Sequence, residues 1–374
     1  MRLDELEFDL PPGLIAATAA EPRDSARLLV VSRSDPTRLE HRTVRDLADL
    51  LDADDLLVTN DSRVVPARFR AINPQTQGKA QGLWLNDDGT DSAGNPIWTA
   101  LIKARRHRAG RVLRLLNHEG EPSPITLEFL EPSTAEPGAW RLIAKDDSDP
   151  NTKTPQMLEL VGLAPLPPYI LNARRDAGLD RDRADDINRY QTVYAQHAGQ
   201  SLNDPAAGSV AAPTAGLHFT PGLLDRLSQA GINRASVTLH VGTGTFKTVE
   251  TDDLSDHPMH AEWCSIPSQT REQTQAAKRT IAVGTTAART LEAFAQMPSP
   301  SAGWLETDLL IQPGHPWQAV DGLLTNFHLP RSTLLALVAA LFPDGIDRVQ
   351  AIYAEAIRER YRFFSFGDAM LILP

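Results

Sequence analysis

The chain has 374 residues, 41% of them hydrophobic and 23% charged, an ordinary balance for a globular protein with room for more than one core. Its single cysteine, Cys264, excludes an intrachain disulfide, and no apolar run is long enough to span a membrane. The formal charge of −11, from 37 Lys and Arg against 48 Asp and Glu, argues against a protein that coats nucleic acid non-specifically, though a local basic patch can still meet RNA. The N-terminus carries no apolar run of signal-peptide length, so a reducing cytoplasm is the expected home. Two domains are expected.

In chain order, Pro11-Pro12-Gly13 marks a turn and residues 28–31 a buried strand. Thr43 can cap a helix over 44–53, whose Val44, Leu47, Leu50 and Leu51 share one face. An apolar strand over 55–58 then runs into the polar turn Thr59-Asn60-Asp61-Ser62-Arg63. From 69 to 155 no helical period appears. Short strand-like runs at 82–85, 98–102, 111–116, 125–130 and 140–144, separated by Gly, Pro, Asp and Asn, predict a small closed antiparallel β-barrel or sandwich. Within it, residues 103–114 (KARRHRAGRVLR) form the one strongly basic run, readable as a solvated hairpin or as a phosphate contact.

Helical texture returns at 155–161, followed by an extended, proline-stiffened segment over 163–170. Residues 171–189 are dense in Arg and Asp and read as a mobile charged loop leading to a helix around 190–194, with another loop at 199–208. Thr220 is a good N-cap, Pro221 suits the first helical position, and Gly231 can take the left-handed stop, so a helix spans 221–230. Alternation over 235–241 predicts a strand that runs into Gly242-Thr243-Gly244-Thr245. Residues 256–263 form a second polar cluster, and a helix is expected over 268–279. A buried strand at 281–283 leads through Gly284-Thr285-Thr286 into a helix over 287–296 with Arg289 in its first turn. Further strands are expected at 309–311 and 323–325. Asn326-Phe327-His328 then leads to helices over 333–342 and 348–360 and to the closing segment 361–370.

Four strands thus end in small polar residues: Thr59-Asn60, Gly242-Thr243, Gly284-Thr285 and Thr325-Asn326. In an open α/β sheet such carboxyl ends share one edge, where ligands bind and helix N-termini favour anions. His218, His240, His257, His260 and His328 fall in or beside these loops and are candidates for proton transfer. The pair His257 and His260 with Glu262 invites a metal reading, but Pro258 spoils helical ligand spacing and no metal is expected. No dinucleotide, P-loop or nucleophile-elbow motif is present.

Eight segments carry a resemblance. They are 58–68 (VTNDSRVVPAR), 166–170 (LPPYI), 190–195 (YQTVYA), 210–219 (VAAPTAGLHF), 239–246 (LHVGTGTF), 283–286 (VGTT), 324–330 (LTNFHLP) and 362–370 (RFFSFGDAM). In this order, over nearly the whole chain, they closely resemble the S-adenosylmethionine:tRNA ribosyltransferase-isomerase family of queuosine biosynthesis. The resemblance implies a main α/β domain, 1–68 plus 156–374, with a small antiparallel β-barrel domain inserted at 69–155. It implies transfer and isomerisation of the ribosyl unit of S-adenosylmethionine onto 7-aminomethyl-7-deazaguanine at the tRNA wobble position, with epoxyqueuosine formed and adenine and methionine released. S-adenosylmethionine would be consumed as a substrate, no cofactor is implied, and a monomer is expected.

On that reading His218 and His240 lead the proton-transfer candidates, with His260 and His328 behind them. Arg289 or Arg362 would pair with the methionine carboxylate, and Asp368 with its ammonium or a ribose hydroxyl. Asn60 and Asn326 would orient base or ribose, while Arg63, Thr214, Gly216, Gly242, Gly244 and Thr285 complete the expected substrate loops. Lys103, Arg105, Arg106, Arg108 and Arg111 would meet tRNA. The chain departs from the family pattern at 78–84 (GKAQGLW), at Phe366, where a tyrosine is usual, and in an expanded 171–207. A metal-dependent hydrolase using the histidines and a non-catalytic tRNA-binding protein are the alternatives.

Overall fold

Leu56, Leu57 and Val58 are buried on both sides, the pattern of a central strand covered on two faces. The computed structural model describes residues 1–374 except 36, 106, 196–208, 243–250, 258, 260 and 298–302. Among the described residues, β1 (Arg27–Ser32), β2 (Leu39–Thr43) and β3 (Asp55–Asn60) come first. β4 (Arg68–Ile72), β5 (Lys79–Thr90), β6 (Pro96–Lys103), β7 (Val112–Leu116), β8 (Pro122–Pro132) and β9 (Ala139–Asp146) follow. The last are β10 (Asn233–Leu239), β11 (Glu262–Ile266), β12 (Arg279–Val283), β13 (Gly303–Thr307), β14 (Gly322–Asn326) and β15 (Ala369–Leu373).

Nine strands form one mixed sheet in the order β13-β11-β10-β3-β12-β14-β15-β1-β2, and the six from β4 to β9 form a closed antiparallel barrel in the order β4-β5-β6-β9-β8-β7. The fold class is therefore the expected one, α/β with a small barrel. The barrel gains β4, in which Phe69 and Ala71 point inward between outward arginines. Two arginines in five residues hid that alternation behind the preceding polar turn. Gly82 faces Phe69 and Ile102 so closely that a β-carbon would overlap their side chains, so the strand needs a glycine there.

The helices are α1 (Leu47–Leu50), α2 (Thr154–Val161), α3 (Pro168–Asp176), α4 (Asp186–Arg189), α5 (Pro221–Gln229), α6 (Ser268–Ala276), α7 (Thr285–Ala295), α8 (Thr333–Ala339) and α9 (Gly345–Arg358). α5 starts as expected, with the Thr220 hydroxyl accepting from the Leu223 N–H at 3.1 Å, and Gly231 beyond it has φ +79°. Trp98 in the barrel core donates to Thr154 Oγ1 at 2.8 Å, which pins α2 against the barrel.

Several expectations are corrected. The extended segment ends at Pro167, because Pro168 opens α3, where its missing N–H has no cost. Residues 171–189 are only in part a loop, since α3 reaches Asp176 and α4 spans Asp186–Arg189, which leaves 177–185 as turns and irregular chain. The Arg174 guanidinium is buried and grips the Asp186 carboxylate with two 2.7 Å hydrogen bonds, so charge that read as solvated is neutralised internally. Residues 190–194 form turns rather than a helix, because the Gln191 side chain pairs with both backbone groups of Val64, at 3.0 and 3.2 Å. The strand expected at 309–311 is absent and lies earlier, as β13. The helix expected over 268–279 stops at Ala276, since Arg279 begins β12. The short helix expected over 44–53 is a 3-10 turn at Val44–Asp46 running into α1. The loop expected at 199–208 lies outside the described residues.

Candidate active site

β10, β3, β12 and β14 are mutually parallel neighbours, so Leu239, Asn60, Val283 and Asn326 end along one edge of the sheet. β15 runs antiparallel to β14 and β11 antiparallel to β10, so both begin at that edge, bringing Asp368 and Glu262 there. The small polar strand ends read from the sequence thus converge as far as they are described, Thr243 lying outside the described residues. A cavity of about 490 Å³ opens beside them, and Thr214, His257, Glu262, Thr285, Arg289, Asn326 and His328 are among its polar lining. Tyr169 and Phe364 add an aromatic wall, their ring centroids 4.8 Å apart, and the Tyr169 and Ser365 hydroxyls meet at 2.6 Å.

Arg289 and Glu262 form an ion pair at the cavity, with side chains 13% and 6% exposed. Arg289 lies in the second turn of α7 rather than the first, since the helix begins at Thr285 after Gly284 at φ +89°. Burial lowers the Arg289 pKa to about 10, which leaves it charged at neutral pH. The other Glu262 carboxylate oxygen accepts the Gly242 N–H at 3.2 Å, so one carboxylate holds both the loop after β10 and the guanidinium.

Four expected site residues support the edge without lining the cavity. Asn60 donates to the Leu239 carbonyl at 3.0 Å and to Thr286 Oγ1 at 3.2 Å, and accepts the N–H groups of Ser62 and Leu239 at 3.1 Å each. Its amide is saturated by this clamp across three segments. Gly216 sits in the 3-10 turn Thr214–His218, where a β-carbon would strike the Tyr194 hydroxyl. Arg362 and Asp368 hold each other, through the Arg362 N–H at 2.7 Å and its guanidinium at 3.3 Å. Their position is fixed by Gly367, whose absent β-carbon would stand 2.6 Å from the Phe363 carbonyl carbon. Gly367→Ala is expected to lower stability by about 1–3 kcal/mol, the usual range for overpacking, read as a drop in the urea midpoint with unchanged slope.

The histidines separate. His328 lines the cavity, its Nε2 lies 2.8 Å from the Thr325 hydroxyl, and burial lowers its pKa to about 4. His218 stands behind Asn326, whose amide nitrogen donates to His218 Nε2 at 3.2 Å. That nitrogen must then carry the lone pair, so the ring is neutral with its proton on Nδ1. Burial lowers the His218 pKa to about 4, and Asp368 only partly opposes it. His240 is half-buried and stacks on Trp304, centroids 5.2 Å apart and planes at 22°, outside the cavity lining. Of the histidines singled out in the sequence, His257 and His328 line the cavity, while His218 and His240 are not in its lining. His260 and Gly244 lie outside the described residues.

The His218 shift has a sign. An unfolded histidine takes up its proton near pH 6.5 and the folded one near 4, so the stabilisation is complete above pH 6.5 and is lost as pH falls toward 4. The interval corresponds to about 3 kcal/mol. Unfolding midpoints of the wild type are expected to fall more steeply between pH 6.5 and 4.5 than those of His218→Asn.

Arg63 is exposed and stands apart from the cavity lining. In the barrel, Lys103 closes β6, Arg105 and Arg108 follow in the loop to β7, and all three are exposed. Arg111 turns back to donate to the Arg105 carbonyl, while His107 stacks on Phe129 and anchors the loop. Arg106 lies outside the described residues. Sequence reasoning gave no role to Glu262 beyond a metal reading, nor to Tyr169, Phe364 and Ser365, although LPPYI and RFFSFGDAM marked their segments. Among the described residues no group of three or more His, Cys, Asp or Glu gathers as for a metal ion, and no helix is long and apolar enough to cross a membrane.

Residues 3–372 match the family model described as queuosine biosynthesis protein. Proteins named S-adenosylmethionine:tRNA ribosyltransferase-isomerase from Synechococcus elongatus and Novosphingobium aromaticivorans are each 42% identical to the chain. The alignments cover 100% of the chain and 96% and 100% of those proteins. The crystal structure of S-adenosylmethionine tRNA ribosyltransferase from Thermotoga maritima is 32% identical, covers 99% of the chain and 100% of its own, and superposes with a TM-score of 0.52.

Proposed function

Because this chain belongs to the queuosine biosynthesis protein family, we propose that it is an S-adenosylmethionine:tRNA ribosyltransferase-isomerase whose substrate sits in the strand-end cavity. It transfers and isomerises the ribosyl unit of S-adenosylmethionine onto 7-aminomethyl-7-deazaguanine at the tRNA wobble position, forming epoxyqueuosine and releasing adenine and methionine. The observation that carries this reading is the paired Arg289 and Glu262 facing the same cavity as a neutral His328.

The methionine end of the substrate carries a carboxylate and an ammonium. Arg289 takes the carboxylate and Glu262 the ammonium, a role that Arg362 and Asp368 leave to them by satisfying each other. The sulfonium acidifies the neighbouring ribose carbon, and His328, neutral at physiological pH, removes that proton. Asn326, held by His218 and by the Phe364 carbonyl at 3.2 Å, fixes the floor against which departing adenine and incoming amine are aligned. Thr214 and Thr285 complete the polar wall. The same reading includes a monomer working in the cytoplasm without a cofactor. It also divides the chain into 1–68 plus 156–374 around an inserted 69–155.

Incubation with S-adenosylmethionine and tRNA bearing the aminomethyl base is expected to release adenine and form epoxyqueuosine in equal amounts, unaffected by chelator. A folded protein that yields neither, or one that chelator silences, would contradict the reading. The barrel loop supplies the phosphate contacts. Replacing Lys103, Arg105 and Arg108 together by alanine is expected to weaken tRNA binding and to flatten the slope of log K against log salt by about 2, since each lost contact removes about 0.7–0.9. An unchanged slope would return the loop to a solvated hairpin.

A further inference from the structure

The register of β10, β11 and β13 sets three aromatic rings on one face of the sheet. Leu239 pairs with Cys264 and the His240 N–H donates to the Trp263 carbonyl at 3.0 Å, so His240 stands opposite Trp263. Ser265 pairs with Trp304, two residues along the same face from Trp263. Cys264 and Ile266 point the other way, into the core. Trp263 and Trp304 remain 40% and 42% exposed, and the His240 ring lies flat against Trp304. Exposed tryptophans clustered on a sheet face are costly to leave in water and mark a binding surface.

This face and the cavity meet only at the strand ends: Glu262, next to Trp263, lines the cavity from the opposite side of the sheet, and Val241, which also lines it, follows His240 beyond the end of β10. A wobble base that enters the cavity must leave its stack, and its neighbours in the single-stranded loop then lose a stacking partner. We infer that Trp304 backed by His240, together with Trp263, is a stacking platform for unpaired tRNA nucleotides flanking the modified one. The inference rests on the tRNA-modifying reading above and gives His240 a positioning role in place of proton transfer. Glu306 shares the exposed face, so the platform holds bases by their rings rather than phosphates by charge. Stacking on an aromatic ring tolerates any base, so the contact is one of placement rather than of sequence readout.

The test uses the full-length protein with Trp304→Ala, Trp263→Ala and Trp304→Phe. Each alanine variant is expected to raise the KM for tRNA about 5- to 100-fold, the cost of one lost stack. The kcat at saturating tRNA and the KM for S-adenosylmethionine should stay unchanged, and Trp304→Phe should recover most of the loss. Tryptophan fluorescence of the wild type should be quenched by an unmodified anticodon-loop oligonucleotide, and less so in Trp304→Ala. Folded alanine variants with wild-type KM for tRNA, in a protein that does turn over S-adenosylmethionine, would overturn the platform and leave the function standing. Loss of a concentration-dependent dimer in the alanine variants, with tRNA binding intact, would give the face to a second copy and also overturn it. A wild type that neither binds tRNA nor releases adenine would overturn both.

Discussion

Arg289→Met is expected to raise the KM for S-adenosylmethionine by at least about 100-fold and to lower stability by about 3–5 kcal/mol. The two effects have separate causes. The stability loss arises because Glu262, 6% exposed, is left as a buried carboxylate without its cation. The binding loss arises because the cavity no longer offers a guanidinium to the methionine carboxylate, and truncating one side of a desolvated charge contact costs about 2–5 kcal/mol. A second variant separates them. Arg289→Met with Glu262→Gln removes the stranded charge, so it should recover most of the unfolding free energy while the KM stays high. Recovery of both would mean that the pair only braces β11 against α7. A single variant with ordinary KM would remove Arg289 from substrate binding altogether.

His328→Ala is expected to reduce kcat by about 10²- to 10⁴-fold, the usual worth of a positioned proton-transfer group. Calorimetric affinity for S-adenosylmethionine should change little, because the ring works on the reacting carbon rather than on the charged ends of the substrate. The pH dependence gives an independent readout. With its pKa lowered to about 4 by burial, His328 stays neutral far below the usual histidine range. Activity of the wild type should therefore hold from about pH 8 down to about pH 5.5, where an ordinary histidine of pKa about 6.5 is already mostly charged. A limb near pH 6.5 that vanishes in His328→Ala would show the ring solvated in the working enzyme. A limb there that survives the substitution would assign the proton to another group.

The central parallel strands were the most legible part of the chain. Buried on both faces, β3, β12 and β14 read as short apolar runs, and their small polar ends announced the edge that the structure brings together. β11 and β15 were not legible for opposite reasons. β11 begins with a glutamate that only its distant guanidinium partner makes compatible with burial, and β15 starts inside the closing segment 361–370, to which no element was assigned. The charged 171–189 segment failed in the same way as β11, because nothing local tells a solvated Arg-Asp run from one that folds Arg174 onto Asp186.

The site was legible by region and not by side chain. Sequence order brings His218, His240 and His328 to one edge, but which of them meets the void depends on rotation about neighbouring elements. His218 turns toward Asn326 beneath the floor, His240 toward Trp304 on an outer face, and His328 into the cavity. Arg362 and Asp368 carried the right chemistry for a zwitterion, yet they neutralise each other, and the equivalent pair at the cavity is Arg289 with Glu262. A pair made by residues far apart in the chain leaves no local pattern from which to read it.

The most direct measurement is a crystal structure of the protein with S-adenosylmethionine bound. The substrate is expected in the strand-end cavity, its carboxylate on Arg289 and its ribose carbon next to sulfur within reach of His328. A substrate bound elsewhere, or bound there with its methionine end turned away from Arg289 and Glu262, would contradict the account.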